Sequence, residues 1–225
     1  MSIKLTIIAF GACLAAACSP FAPRADNSKF FILTPLPSQV VPAARTAPAS
    51  PAQMAIGVGP IDFPEYLRRQ QVVTRSSPNK LELSEEQRWA EPLDKNFTRV
   101  LCENLTQLLD AQRVEKYPWS RKNPVDYQVT IDVQRFETSA DGQAYLVARW
   151  AIKEGQTGKD LYRSQTSTSE SVDGGESGAS AALSNNLALL SRDIASRLTD
   201  LRQTRIRSAN ARQSPAGNGV FTHMD

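Results

Sequence analysis

Tyr127–Glu137, YQVTIDVQRFE, is the stretch on which the fold turns. Val129, Ile131 and Val133 alternate with Thr130, Asp132 and Gln134, the period of a strand with one face buried and one wet. Ala144–Lys153 (AYLVARWAIK) and Leu161–Ser169 extend the pattern, with Asp141-Gly142 and Glu154-Gly155 placed for the turns. Such a run is an antiparallel meander that leaves one face to solvent and needs cover on the other.

Two helices supply the cover. Leu93, Phe97, Val100, Leu101, Leu105, Leu108 and Leu109 recur at steps of three and four, opposite Asp94, Lys95, Arg99 and Glu103. Pro92 suits the start of that helix. Residues 177–201 form a second long helix with Leu183, Leu187, Leu190, Ile194, Leu198 and Leu201 on one stripe, and Ser or Gly residues at its start. Upstream, Ala55–Ile61, Gln71–Arg75 and Lys80–Leu83 read as strands, the last two joined through Ser76-Ser77-Pro78-Asn79. The order of strands, helix, strands and helix predicts one α/β or α+β domain, with both helices packed on a mixed or antiparallel sheet.

The N-terminus reads differently. After Met1–Lys4, the run Leu5–Ala17 carries no charge and is too short to span a bilayer, which needs about 20 residues. A charged start, a short apolar core and small residues describe a signal peptide over 1–17. Leu14-Ala15-Ala16-Ala17-Cys18 has the form of a bacterial lipobox, although Ala15 stands where leucine is commoner. Cys18 is therefore the expected lipidation site, and more than one acyl chain on it would give stable attachment. Ser19, rather than aspartate, favours sorting to the outer membrane of a Gram-negative envelope.

Residues 18–53 form a Pro/Ala-rich tether holding seven of the fourteen prolines, with one short strand near 29–33. Its first eleven residues or so, extended, reach about 30 Å at roughly 3 Å each. The domain is expected over 54–201, and 202–225 as a basic, disordered tail. That tail has four arginines against one aspartate, which leaves the body of this +3 chain nearly neutral and argues against a nucleic-acid footprint.

Catalytic signatures are scarce. The single histidine, His223, lies near the end, so a His-based triad or multi-His metal site is excluded, and no metal or cofactor is expected beyond the lipid on Cys18. Gly57-Val58-Gly59 lacks the third glycine and the helix of a dinucleotide turn, since Asp62 takes that place. Asp126 with Asp132, or Glu82 with Glu86, could be paired as in a hydrolase, but solvated faces account for them. Cys102 reads as a buried thiol on the edge of a helical stripe.

One segment stands out. Pro60–Arg75 (PIDFPEYLRRQQVVTR) sets Phe63, Tyr66 and Leu67 beside Arg68 and Arg69, a candidate contact surface for a partner or an amphiphile. Covering one end of the core is the structural alternative. Trp89 in QRWAEPLDKN is a further candidate contact, with helix anchoring as its alternative.

The motif P-x-Y-L-x-R-x-Q-x-V-T-R (Pro64 to Arg75), R-W-A-E-P-L (Arg88 to Leu93) and the FFILTP start resemble the ABC-type transport auxiliary lipoproteins of the PqiC type, over most of the mature chain. The resemblance implies an architecture related to the N-terminal domain of TolB. It implies a non-enzymatic outer-membrane lipoprotein facing the periplasm, supporting envelope integrity. An MCE-domain periplasmic protein would be its partner in lipid transport, with an inner-membrane permease and ATPase as indirect partners, and homo-oligomers are compatible with it. An envelope scaffold without a transport role and an anchored carboxylate-dependent hydrolase are the other readings.

Overall fold

The computed structural model describes residues 26–37, 54–111, 113–120 and 122–213. The signal segment 1–17, Cys18, most of the tether and residues 214–225 lie outside the described residues. The strands are β1 (Lys29–Phe31), β2 (Ala55–Asp62), β3 (Gln71–Ser77), β4 (Lys80–Trp89), β5 (Arg113–Lys116), β6 (Tyr127–Ser139), β7 (Gln143–Glu154) and β8 (Asp160–Ser171). The helices are α1 (Leu93–Leu109) and α2 (Gly178–Gln213), and a 3-10 turn, Glu65–Leu67, lies between β2 and β3.

The eight strands make one mixed sheet, as expected, with both helices on a single face. The meander is β6–β7–β8, antiparallel throughout, with Ile131 opposite Trp150 and Trp150 opposite Ser164. Along its other edge β6 takes two parallel neighbours in succession: β2 beside its first half and β3 at its end, where Thr74 pairs with Thr138. β5 flanks β2, while β4 and then β1 continue outward from β3. The arrangement is α+β in one domain.

Alternation places Ile56 and Val58 of β2, Val129 and Ile131 of β6, and Trp150 and Ile152 of β7 on the covered face, all nearly inaccessible. α1 lays Phe97, Val100, Leu101 and Leu105 on that face, and α2 lays Leu183, Leu187, Leu190, Ile194 and Leu198, each fully buried large side chain contributing about 1.5–3 kcal/mol. Polar groups join the layers. Asn104 donates to Ser191 Oγ at 3.0 Å between the helices, and Trp150 Nε1 donates to Thr166 Oγ1, which donates to Asp193 of α2.

Three boundaries differ from the expectation. The N-terminal segment belongs to the domain and is not merely tether. β1 pairs in parallel with the end of β4, Leu33 is buried, and the backbone N–H groups of Leu33 and Leu36 donate to Asn96 and Asn104 of α1. Pro35 and Pro37 are compatible with this extended path because it makes no ladder there. α2 runs twelve residues past Leu201, so residues 202–213 are helix rather than disordered tail; no Gly or Pro interrupts them before Pro215. β4 runs on to Trp89, and β5 is an additional strand whose four residues are too few to show a period.

Gly57-Val58-Gly59 has a packing role. A β-carbon on Gly57 would lie 2.5 Å from the Trp119 ring, and one on Gly59 (φ 119°) would lie 2.7 Å from Tyr117 Cβ. The glycines let the loop after β5 lie flat against β2, with Tyr117 and Trp119 edge to face at 5.5 Å.

Candidate functional site

The Pro64–Arg75 motif folds as the crossover from β2 to β3 and does not present the surface expected of it. Phe63 and Leu67 are buried, and Phe63 meets the α1 ring of Phe97 edge to face at 5.1 Å. Phe97 in turn meets Phe136 of β6 at 5.2 Å. A 3-10 turn is the reason: Leu67 N–H bonds to Pro64 O, which carries the apolar side chains inward and leaves Arg68 and Arg69 exposed. Trp89 is also buried, since its backbone pairs with Gln70 and its ring closes the core beside α1. Of the six proposed contact residues, Phe63, Leu67 and Trp89 are core, Tyr66 is half-buried, and only Arg68 and Arg69 are free surface.

Tyr66 leads to a polar cluster that the sequence did not disclose. Its hydroxyl donates to Glu137 Oε2 at 2.9 Å, while Arg75 and Arg135 each place Nε 2.9 Å from Glu137 Oε1. The Phe136 N–H also reaches Oε2, at 3.0 Å. The Glu137 side chain is fully inaccessible, whereas Arg75 and Arg135 keep 23% and 32% of theirs exposed. A charge so placed is tolerated only with such a full set of partners. A bulge between Val133 and Arg135 shifts the alternation, so Phe136 enters the core while Arg135 and Glu137 face the other way. Period-two reading of YQVTIDVQRFE runs straight through that bulge and misses Glu137.

The electrostatics are those of a structural clamp. Burial first, then the Glu137 carboxylate, pushes Tyr66 up to about 12, so it is a neutral donor at ordinary pH. The hydrogen bond to Glu137 raises Arg75 further. The Arg135 guanidinium lies 4.5 Å over the Tyr145 ring, and Tyr145 donates to Asp141 at 2.7 Å. These residues, with Ser76 and Ser77, line an open concavity of about 500 Å³. Tyr, Thr and Arg of the motif thus fasten the β2–β3 crossover to β6, with Thr74 and Thr138 hydroxyls 2.9 Å apart.

The second block, Arg88 to Leu93, is likewise a joint. Ala90 N–H bonds to Phe31 O, and Glu91 accepts from Asn96 and Arg99 at the first turn of α1.

The uncovered face of the meander carries the other concavity, about 510 Å³, between Asp62, Asp132, Arg149, Lys153, Asp160 and Arg163. Asp132 stands beside Asp62 on one strand and opposite Arg149 on the other, at the exposed surface. Its supposed partner Asp126 is elsewhere, accepting from Ala55 N–H at 2.9 Å, so the two do not converge. Glu82 is exposed beside Lys80. Burial pushes the Cys102 thiol up to about 11, the opposite of an activated nucleophile. Among the described residues no three His, Cys, Asp or Glu side chains converge as metal ligands, and no helix is long and apolar enough to cross a membrane.

Comparison with known proteins gives the same architecture. A crystal structure of an uncharacterized protein superposes with a TM-score of 0.62 at 18% identity, covering 76% of this chain and 98% of that one. Protein XCC0632 from Xanthomonas campestris, of family-model DUF330, superposes at 0.58 and 14% identity, covering 79% of this chain and 99% of its own. These likenesses are of fold. No curated protein matches the sequence. The model of the ABC-type transport auxiliary lipoprotein component matches residues 36–195, which run from the segment laid along α1 through both joints to α2. The chain belongs to the family of ABC-type transport auxiliary lipoprotein components.

Proposed function

We propose that this protein is a non-catalytic adaptor, anchored through a lipid on Cys18 to the outer membrane and facing the periplasm. It would serve there an MCE-type system that moves lipid between the two membranes and supports envelope integrity. The membership over residues 36–195 carries this reading, because that family is an auxiliary component of ABC-type transport. The lipobox-like Leu14–Cys18 and Ser19 support anchoring and outer-membrane sorting. The two motif blocks are spent on internal joints and Cys102 is buried with a raised pKa, which favours a binding role over a catalytic one. No cofactor is required. An MCE-domain protein is the direct partner, the permease and ATPase act through it, and self-association would match a symmetric partner.

Membrane fractionation and crosslinked pull-down of wild type beside Cys18→Ala test this. Wild type is expected in the outer membrane together with an MCE-domain protein, and the variant is expected soluble or unprocessed. A variant that still fractionates with the outer membrane, or a wild type that brings down no MCE protein, overturns the reading in favour of an envelope scaffold.

A further inference from the structure

α2 is longer than the sheet it covers. Its 36 residues span about 54 Å at 1.5 Å each, against about 43 Å for the thirteen residues of β6 at 3.3 Å. Residues 203–212 are all exposed, and the overhang from 202 to 213 carries Arg202, Arg205, Arg207 and Arg212 with no acidic residue. Such arginines can complement a helix dipole, but that effect fades within the last turn, where only Arg212 sits. Among the described residues Arg207 and Arg212 have no ion-pair partner, while Arg205 lies 3.8 Å from Asp126.

The overhang is also apolar along one line. Ile206 is 48% exposed. With Ala209, Met54 and Tyr127 it borders a groove of about 280 Å³, whose charged rim is Arg202, Arg205 and the Asp126 that faces Arg205, positive on balance. An apolar seat edged by arginines is complementary to a segment that alternates apolar and acidic side chains.

We propose that residues 202–213 of α2 are a docking site for an acidic, partly apolar segment of a protein partner. Ile206 and the groove would take its apolar side chains, and Arg205 and Arg212, about 20° apart around the helix at 3.6 residues per turn, its carboxylates. A protein is chosen over an anionic bilayer because of direction. Thr34 and Leu36 bond to Ser184 and Asn104, and Asn104 to Ser191, so residues 29–36 run in the same sense as α2. The chain before Lys29 therefore leaves from the end where α2 begins, and the overhang points from the opposite end. An anchor on Cys18 would thus join the domain at the end opposite the tip. That choice rests on the anchoring reading above, but the docking site itself does not.

The test places a photo-crosslinking phenylalanine derivative at Ser208 of the full chain in its native host, with and without Arg205→Glu and Arg212→Glu. Both arginines are exposed and Arg205 gives up only a long, solvent-screened ion pair to Asp126, so the double variant keeps its fold and a thermal midpoint close to that of the wild type. The expected result is a crosslink mapped to an acidic segment of another protein, falling about tenfold in the double variant. It is restored when the captured acidic residues are reversed to arginine. Crosslinks to lipid, crosslinks to further copies of this chain, or a yield indifferent to the charge changes overturn the proposal. A charge-dependent crosslink to a protein outside any transport system sustains the docking site while ending the adaptor reading.

Discussion

Glu137 is held by four donors from three places in the chain: Tyr66, Arg75, Arg135 and the Phe136 backbone. Glu137→Gln leaves two guanidinium groups facing a neutral amide. Because both arginines still reach solvent, the expected loss is about 2–3 kcal/mol, below the 3–5 typical of a fully buried pair, read from the urea midpoint. Tyr66 adds a pH signature. Its pKa, near 10 when unfolded, rises to about 12 in the fold, so the folded state holds the proton more tightly. The stabilisation is complete below pH 10 and is lost as pH climbs toward about 12. Tyr66→Phe should flatten the fall in stability over that window. Cys102 shifts in the same direction, from 9 to about 11, so the comparison belongs in a Cys102→Ala background. An unchanged alkaline slope in Tyr66→Phe would contradict the clamp.

At the level of elements, the two ends of the domain should respond to truncation in opposite ways. Residues 26–37 form β1, bury Leu33 and satisfy Asn96 and Asn104, both buried themselves. Removing them exposes core and leaves amide groups unpaired, at about 1–3 kcal/mol for each orphaned group in addition to the lost apolar contact. Stopping the chain after Leu201 removes the half-buried Arg202, the exposed helix beyond it and the long ion pair of Arg205 to Asp126, and should cost less than the N-terminal cut, about 1 kcal/mol. Parallel thermal and urea melts of the two truncations check both halves. A larger loss from the C-terminal cut would mean that the overhang belongs to the core.

Across the whole molecule, α1 and α2 share one apolar layer with all the longer strands, and no boundary divides that core. Far-ultraviolet dichroism and tryptophan fluorescence should therefore give coincident unfolding curves. Trp89 of β4 and Trp150 of β7 report from either side of β6 within the one core, both buried, while Trp119 lies over Gly57 on the outer side. Curves that separate would show that the β1–β4–β3 side melts independently of the meander.

The sequence by itself determined the signal-like start, the two amphipathic helices, the meander and the absence of a histidine-based site, because each is a local pattern of period, charge or residue type. The family resemblance was legible for the same reason: Pro64 to Arg75 and Arg88 to Leu93 are contiguous blocks. What those blocks do was decided only by tertiary structure. Phe63, Leu67 and Trp89 have the composition of a contact surface, and it took the packing of the crossover against α1 to bury them. Glu137 looked like one more strand residue until a bulge turned it away from the core and Tyr66, Arg75 and Arg135 converged on it. The helix past Leu201 was hidden because its apolar stripe thins there to Ile206 and Ala209, both exposed. A stripe records what lies beneath a helix, whereas backbone hydrogen bonding and the absence of a breaker decide how far the helix runs.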